Sequence, residues 1–131
     1  QRSVLQDLGQ ELVSSNCSEF CAAFLDFISY SPRENLILDG VRHTIVLQEI
    51  ASRLSPSESH VIYVMANLNV RKRRPSESST GESIEVMESH LVESQKVKFS
   101  EMAELTIDTS SRTPADAFLC LTKWIDRNVK V

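Results

Sequence analysis

The sequence predicts an α/β domain built on a parallel sheet of three or more strands with helices on both faces. Asn35–Asp39 is a short, nearly continuous apolar run that reads as a parallel strand covered on both faces, His60–Met65 reads as a second buried strand, and Leu105–Asp108 as a third short strand. Segments of helical period separate them, and strands alternating with helices imply parallel pairing through right-handed crossovers. The last helix start, Thr113-Pro114-Ala115-Asp116, has a cap residue, a proline in first position and an acid in the first turn.

In chain order, a first helix runs from about Ser3 to Val13, with Val4, Leu5, Leu8 and Leu12 on one stripe. Asn16-Cys17-Ser18-Glu19 reads as a cap with a reciprocal glutamate, opening a second helix that carries Phe20, Cys21, Phe24, Leu25 and Ile28 inward. Ser31-Pro32 ends it. The run Asn35–Asp39 follows and closes in the Asp39-Gly40 turn. A helix from Thr44 to Leu54 presents Leu47, Ile50, Ala51 and Leu54, and the His60–Met65 strand comes next. Arg71-Lys72-Arg73-Arg74 is the densest positive run, and the Ser-rich stretch from Pro75 to Gly81 reads as a loop. Ser79 and Glu82 are spaced as a capping box for a helix carrying Ile84, Met87 and Leu91. After the strand Leu105–Asp108, the final helix buries Ala117, Phe118, Leu121, Trp124 and Ile125. No internal repeat is present. The 131 residues fit one domain, with 71–99 as a separable, lid-like insertion.

The net charge of −4 argues against a general nucleic-acid binder, and no specific nucleic acid is expected as partner. No apolar run approaches the about 18 residues that a membrane helix needs, so no membrane partner is expected. An odd count of three cysteines does not suit a disulfide framework. Buried reduced thiols are the simpler reading, which points to the cytoplasm. A metal site built on Cys17, Cys21 and a histidine lacks the usual paired ligand spacing. The chain opens at Gln1 in mid-helix and without methionine, as a fragment or processed product would.

Candidate functional residues lie where strands end. Asp39 closes the first run, and in open parallel sheets ligands bind beyond the carboxyl ends of strands. A carboxylate there can hold a metal-bound water, or can simply satisfy the backbone donors of its own turn. Arg42 suits a phosphate bidentately, or pairs with a local acid. Arg71, Arg73 and Arg74 flank a loop; they can neutralise a transferring phosphoryl group, form a solvated basic face, or act as a nuclear-localisation tetrad. His43, His60 and His90 adjoin no nucleophile pattern, and the acidic stretch Glu82–Glu93 reads as a solvated face.

Leu36-Ile37-Leu38-Asp39-Gly40-Val41-Arg42 resembles the strand–Asp–Gly–x–Arg turn of nucleoside monophosphate kinases and dephospho-coenzyme A kinases. His60–Met65 followed by Asn69-Val70-Arg71-Lys72-Arg73-Arg74 is similar to the strand that leads into their arginine-bearing lid. The segment Glu88 to Lys96, then Ala103–Asp108, is similar to their lid-return helix and last strand. Arg2-Ser3-Val4-Leu5-Gln6-Asp7-Leu8-Gly9 resembles the acceptor-side helix. The likeness covers nearly the whole chain in the family's order. It implies a P-loop kinase-like fold and ATP-dependent phosphoryl transfer to a nucleotide or similar small phosphate acceptor. It also implies that Asp39 serves magnesium through water, Arg2 and Arg42 hold the acceptor phosphate, and Arg71 with Arg73 or Arg74 closes on the ATP phosphates. In such a mechanism positioning and charge neutralisation do most of the work.

The chain departs from the family in lacking the G-x-x-x-x-G-K-S/T loop and the first strand beside it. The resemblance therefore implies an upstream segment, or a partner strand, completing the sheet, with the present chain inactive alone. Two other classes stay open: a catalytically inactive nucleotide-binding or regulatory domain, and an unrelated α/β interaction domain.

Overall fold

The computed structural model describes residues 2–31, 34–55, 58–74 and 95–129, with side chains from residue 7 onward. The expected loop from Pro75, the capping box of Ser79 and Glu82, the helix of Ile84, Met87 and Leu91, His90 and the acidic stretch lie outside these residues. The described residues are mostly helical. The elements run α1 (Arg2–Phe27), α2 (Thr44–Leu54), β1 (Ile62–Met65), α3 (Leu68–Arg73), α4 (Lys96–Met102), β2 (Leu105–Asp108) and α5 (Pro114–Asn128). Among them, those within Gln1–Ser59 and Ser89–Lys98 make one compact unit, and those within His60–Glu88 and Phe99–Val131 make another.

The first unit is helical. α1 is two helices joined at Asn16, whose backbone is non-helical (φ −158°, ψ 80°). The Asn16 side chain explains the break: its Oδ1 accepts from the Glu19 N–H at 3.1 Å and its Nδ2 donates to the Glu19 carboxylate at 2.8 Å. An asparagine oxygen satisfies an orphan donor at a helix start, so Asn16 caps the second helix as the sequence predicts. That helix ends at Phe27, ahead of Ser31-Pro32. The Ser29 N–H reaches the Asp26 carbonyl at 3.0 Å and the Tyr30 N–H reaches that of Leu25 at 3.1 Å, with Ser29 at φ 53°. This is a Schellman ending with serine where glycine is usual. A left-handed non-glycine residue costs about 1–2 kcal/mol. Ser29→Gly is therefore expected to raise the unfolding free energy by about 1 kcal/mol, measured by urea denaturation; unchanged stability would mean that Ser29 bears no such strain.

The core of this unit gathers Val13 and Cys21 from α1 with Val46 and Ile50 from α2; Cys17, Phe24, Leu38, Val41 and Leu54 pack around them. Arg53 ties the helices together: Nε donates to Glu49 at 2.9 Å, and Nη2 donates to the Ser18 carbonyl and hydroxyl at 2.9 and 2.8 Å. The start of α2 has no cap from His43. Gln95 Oε1 takes that place, accepting from the Thr44 N–H at 2.9 Å.

The expected strand Leu36–Asp39 does not form. Residues 35–43 have no regular structure. Leu38 and Val41 point into the helical core, while Ile37 is 90% exposed. Gly40, at φ +74°, turns the chain between the two inward residues. An apolar run becomes a strand only where a neighbour takes its backbone bonds, and among the described residues this run has none. The sheet of three or more strands with helices on both faces, and with it the P-loop kinase-like architecture, is thus corrected: the described residues are mostly helical and pair two parallel strands.

Those strands centre the second unit. β1 and β2 pair in parallel, with Ile62 opposite Leu105 and Met65 opposite Asp108. Ile107 is buried beside α5, which packs along β2. At the entry to the strands, the Glu104 N–H donates to the Val61 carbonyl at 2.9 Å. There His60 Nδ1 lies 3.0 Å from the Glu104 carboxylate, and the His60 ring meets Trp124 of α5 edge-on at 5.3 Å. α5 begins as its sequence dictates, with Thr113 and Asp116 in a reciprocal capping box. The Thr113 hydroxyl and then its backbone N–H hold the Asp116 carboxyl below the ordinary carboxylate range. Ala117, Leu121, Trp124 and Ile125 are half-buried along one stripe. Phe118, expected with them, is 67% exposed because it lies on the flank of that stripe.

Candidate functional site

Beyond the carboxyl ends of β1 and β2 the chain gathers polar groups from two segments far apart in sequence. β1 leaves through Ala66-Asn67 into α3. Asn67 caps this helix, its Oδ1 accepting from the Val70 N–H at 2.9 Å. β2 leaves through Thr109-Ser110. The Thr109 N–H and hydroxyl both donate to the Met65 carbonyl, at 2.8 and 3.0 Å, which continues the strand pairing by one residue.

Two directed chains of hydrogen bonds cross between these exits. In the first, the Asn67 N–H donates to Ser110 Oγ at 2.9 Å, and that hydroxyl donates to Asp108 Oδ1 at 2.5 Å. The Ser110 N–H reaches the same oxygen at 2.8 Å. The Ser110 hydroxyl, then its N–H, keeps the Asp108 carboxyl below the ordinary value, and the Arg112 charge adds to this. In the second, Arg74 Nη1 donates to Thr109 Oγ1 at 3.1 Å and Nη2 to the Thr109 carbonyl at 2.6 Å. Arg71 Nε donates to the Ala66 carbonyl at 3.0 Å. Lys72 and Arg73 are exposed. The β-strand exits thus carry Arg71, Lys72, Arg73, Arg74 and Arg112, with Arg112 shared between the Asp108 and Asp116 carboxylates, and the guanidinium forks on and after α3 suit phosphate oxygens.

The structure brings Arg71, Arg73 and Arg74 together on or directly after α3. Arg2, Asp39 and Arg42 belong to the other unit: Arg2 opens α1, while Asp39 and Arg42 are exposed on the irregular segment before α2. The role expected of the Arg2 side chain lies outside the described residues. Asp39 does not stand at a strand tip, so its place there no longer speaks for a ligand. Of the insertion 71–99, only 71–74 and 95–99 are described. Among the described residues no three His, Cys, Asp or Glu side chains gather as metal ligands, and no helix is long and apolar enough to cross a membrane.

Comparison of the chain with family models, with curated proteins and with solved structures gives no match.

Sequence reasoning missed Asn67, Asp108, Thr109 and Ser110. The available signal was Asp108-Thr109-Ser110-Ser111-Arg112, a polar run at the end of a strand that the sequence does predict. The same rule about strand ends that singled out Asp39 applies there with better reason.

Elsewhere, the Cys17 and Cys21 sulfurs lie 3.9 Å apart on successive turns of α1. Burial, then the neighbouring Cys17 thiol, pushes the Cys21 thiol up to about 11. This suits a reduced core thiol, not a nucleophile.

Proposed function

We propose that this chain takes part in ATP-dependent phosphoryl transfer to a nucleotide or similar small phosphate acceptor, as part of a longer chain. The observation that supports this reading is the arginine-bearing α3 held at the carboxyl ends of two parallel strands. Tethering by Ala66 and Thr109 places Arg71 and Arg74 with little side-chain entropy left to lose on binding. Arg73 adds an exposed fork beside them. Together they would neutralise the donor phosphates. When bound, magnesium supplies charge neutralisation across the donor phosphates. A cytoplasmic setting goes with this reading.

A second reading is nucleotide binding without catalysis, by the same arginine-bearing helix. Both readings require this chain to bind a phosphate-bearing nucleotide. ATP with magnesium, or a nucleoside monophosphate, is expected to raise its melting temperature; saturation at 100 Kd corresponds to about 2.7 kcal/mol. Arg73→Ala, which spares both tethers, is expected to weaken ATP binding by about tenfold or more through loss of a charge-assisted bond. Neither nucleotide shifting the melting temperature at millimolar concentration would end both readings. ATP turnover by the complete gene product separates them.

A further inference from the structure

The two ties that hold α3 land on consecutive residues of one turn. Its amino end is fixed by the Asn67 N–H on Ser110 Oγ, and its carboxyl end by Arg74 on Thr109. α3 has only six residues, too few to be stable or oriented by its own backbone bonds. Its direction must come from what grips its ends.

The first tie depends on which way a hydroxyl points. Ser110 Oγ has one proton. That proton is committed to the Asp108 carboxylate at 2.5 Å, so the oxygen's lone pairs remain to accept from Asn67. The Ser110 N–H on the same carboxylate oxygen fixes the residue from a second side. Asp108 thereby orients Ser110, Ser110 fixes the Asn67 backbone, and the Asn67 side chain fixes the first turn of α3. The second tie has the same form: the Thr109 hydroxyl donates to the Met65 carbonyl and accepts from Arg74.

We propose that Ser110, oriented by Asp108, is a positioning residue that sets α3 and so preorganises Arg71 and Arg73 for a phosphate ligand. This rests on the phosphate-binding reading above. Binding sites need their contact groups held in place by residues that do not touch the ligand themselves, and the exit turn of β2 does this for the arginine helix.

The test uses amide hydrogen exchange of the ligand-free chain and ATP affinity, measured on wild type, Ser110→Ala, Asp108→Ala and Ser110→Thr. Ser110→Ala is expected to speed exchange at the Val70 to Arg73 amides by about 3- to 10-fold and to weaken ATP by a similar factor, as loss of one hydrogen bond would. Asp108→Ala is expected to speed exchange at the same amides, while loss of its negative charge beside the arginines offsets the fall in affinity. Ser110→Thr, which keeps the hydroxyl, restores both. Protection of the β1 and β2 amides serves as the folding control, and Ser110→Gly, which also removes only the hydroxyl contact, stands in if Ser110→Ala fails it. Faster exchange with unchanged affinity overturns the proposal, because the tie would then be structural alone. Lost affinity with unchanged exchange also overturns it, because Ser110 would then touch the ligand. Absence of ATP binding by the wild type rejects the phosphate reading itself, whereas wild-type binding that Ser110→Ala leaves intact rejects only the positioning role.

Discussion

Replacing Ile107 with alanine is expected to cost about 2–5 kcal/mol of unfolding free energy. Ile107 is 2% exposed, in the middle of β2 and opposite Val64. Among the described residues of its unit little else is fully inside, since α5 and α3 contribute no fully buried residue. Deleting three carbons there removes apolar area from the core and leaves a cavity lined by a two-stranded ladder and one helix. Two strands alone are marginal in water and depend on the helix packed over them. Urea denaturation checks this through a fall in midpoint at constant slope. A loss under about 1 kcal/mol would show that α5 settles into the space.

Ile50→Ala is the corresponding test of the helical unit, with an expected loss in the same range of about 2–5 kcal/mol. Ile50 is 5% exposed and belongs to the cluster with Val13, Cys21 and Val46. Its removal opens the α1–α2 contact over Cys21, whose side chain is fully buried. Cys21 reports on the change independently. Its thiol is kept protonated by burial and by Cys17, with a value of about 11, and should resist alkylation at pH 8 in the wild type. In Ile50→Ala, faster iodoacetamide labelling at Cys21, mapped by peptide mass, should accompany the loss of stability. Loss of stability without faster labelling would place the damage away from Cys21.

Much of the local structure was legible because its causes are local. Thr113-Pro114-Ala115-Asp116 holds both halves of a cap within four residues, and α5 starts there. Asn16 and Glu19 carry their own helix break. Thr44–Leu54 has a helical period and is α2, and Leu105–Asp108 is β2 as expected. Leu36–Asp39 misled because an apolar run does not say what its backbone will bond to. A strand needs a neighbour, whereas burial of Leu38 and Val41 against two helices needs only a turn at Gly40. The site was hidden for a related reason. Arg71, Arg73 and Arg74 stood out by charge alone. Asn67 and Ser110 meet only because β1 and β2 run side by side, and their bond spans 43 positions of sequence. Residue type gives no hint of such a meeting; pairing register does.

The level ending of the two strands has a geometric consequence. Met65 and Asp108 stop opposite one another, so the distance from strand to helix is counted by Ala66 and Asn67 alone. A helix turns by about 100° per residue. One residue more or less in that spacer would rotate the guanidinium groups by more than a quarter of a circle, or detach the helix from both its anchors. The length of a two-residue connector, as much as the arginines it leads to, therefore decides which way the charge faces.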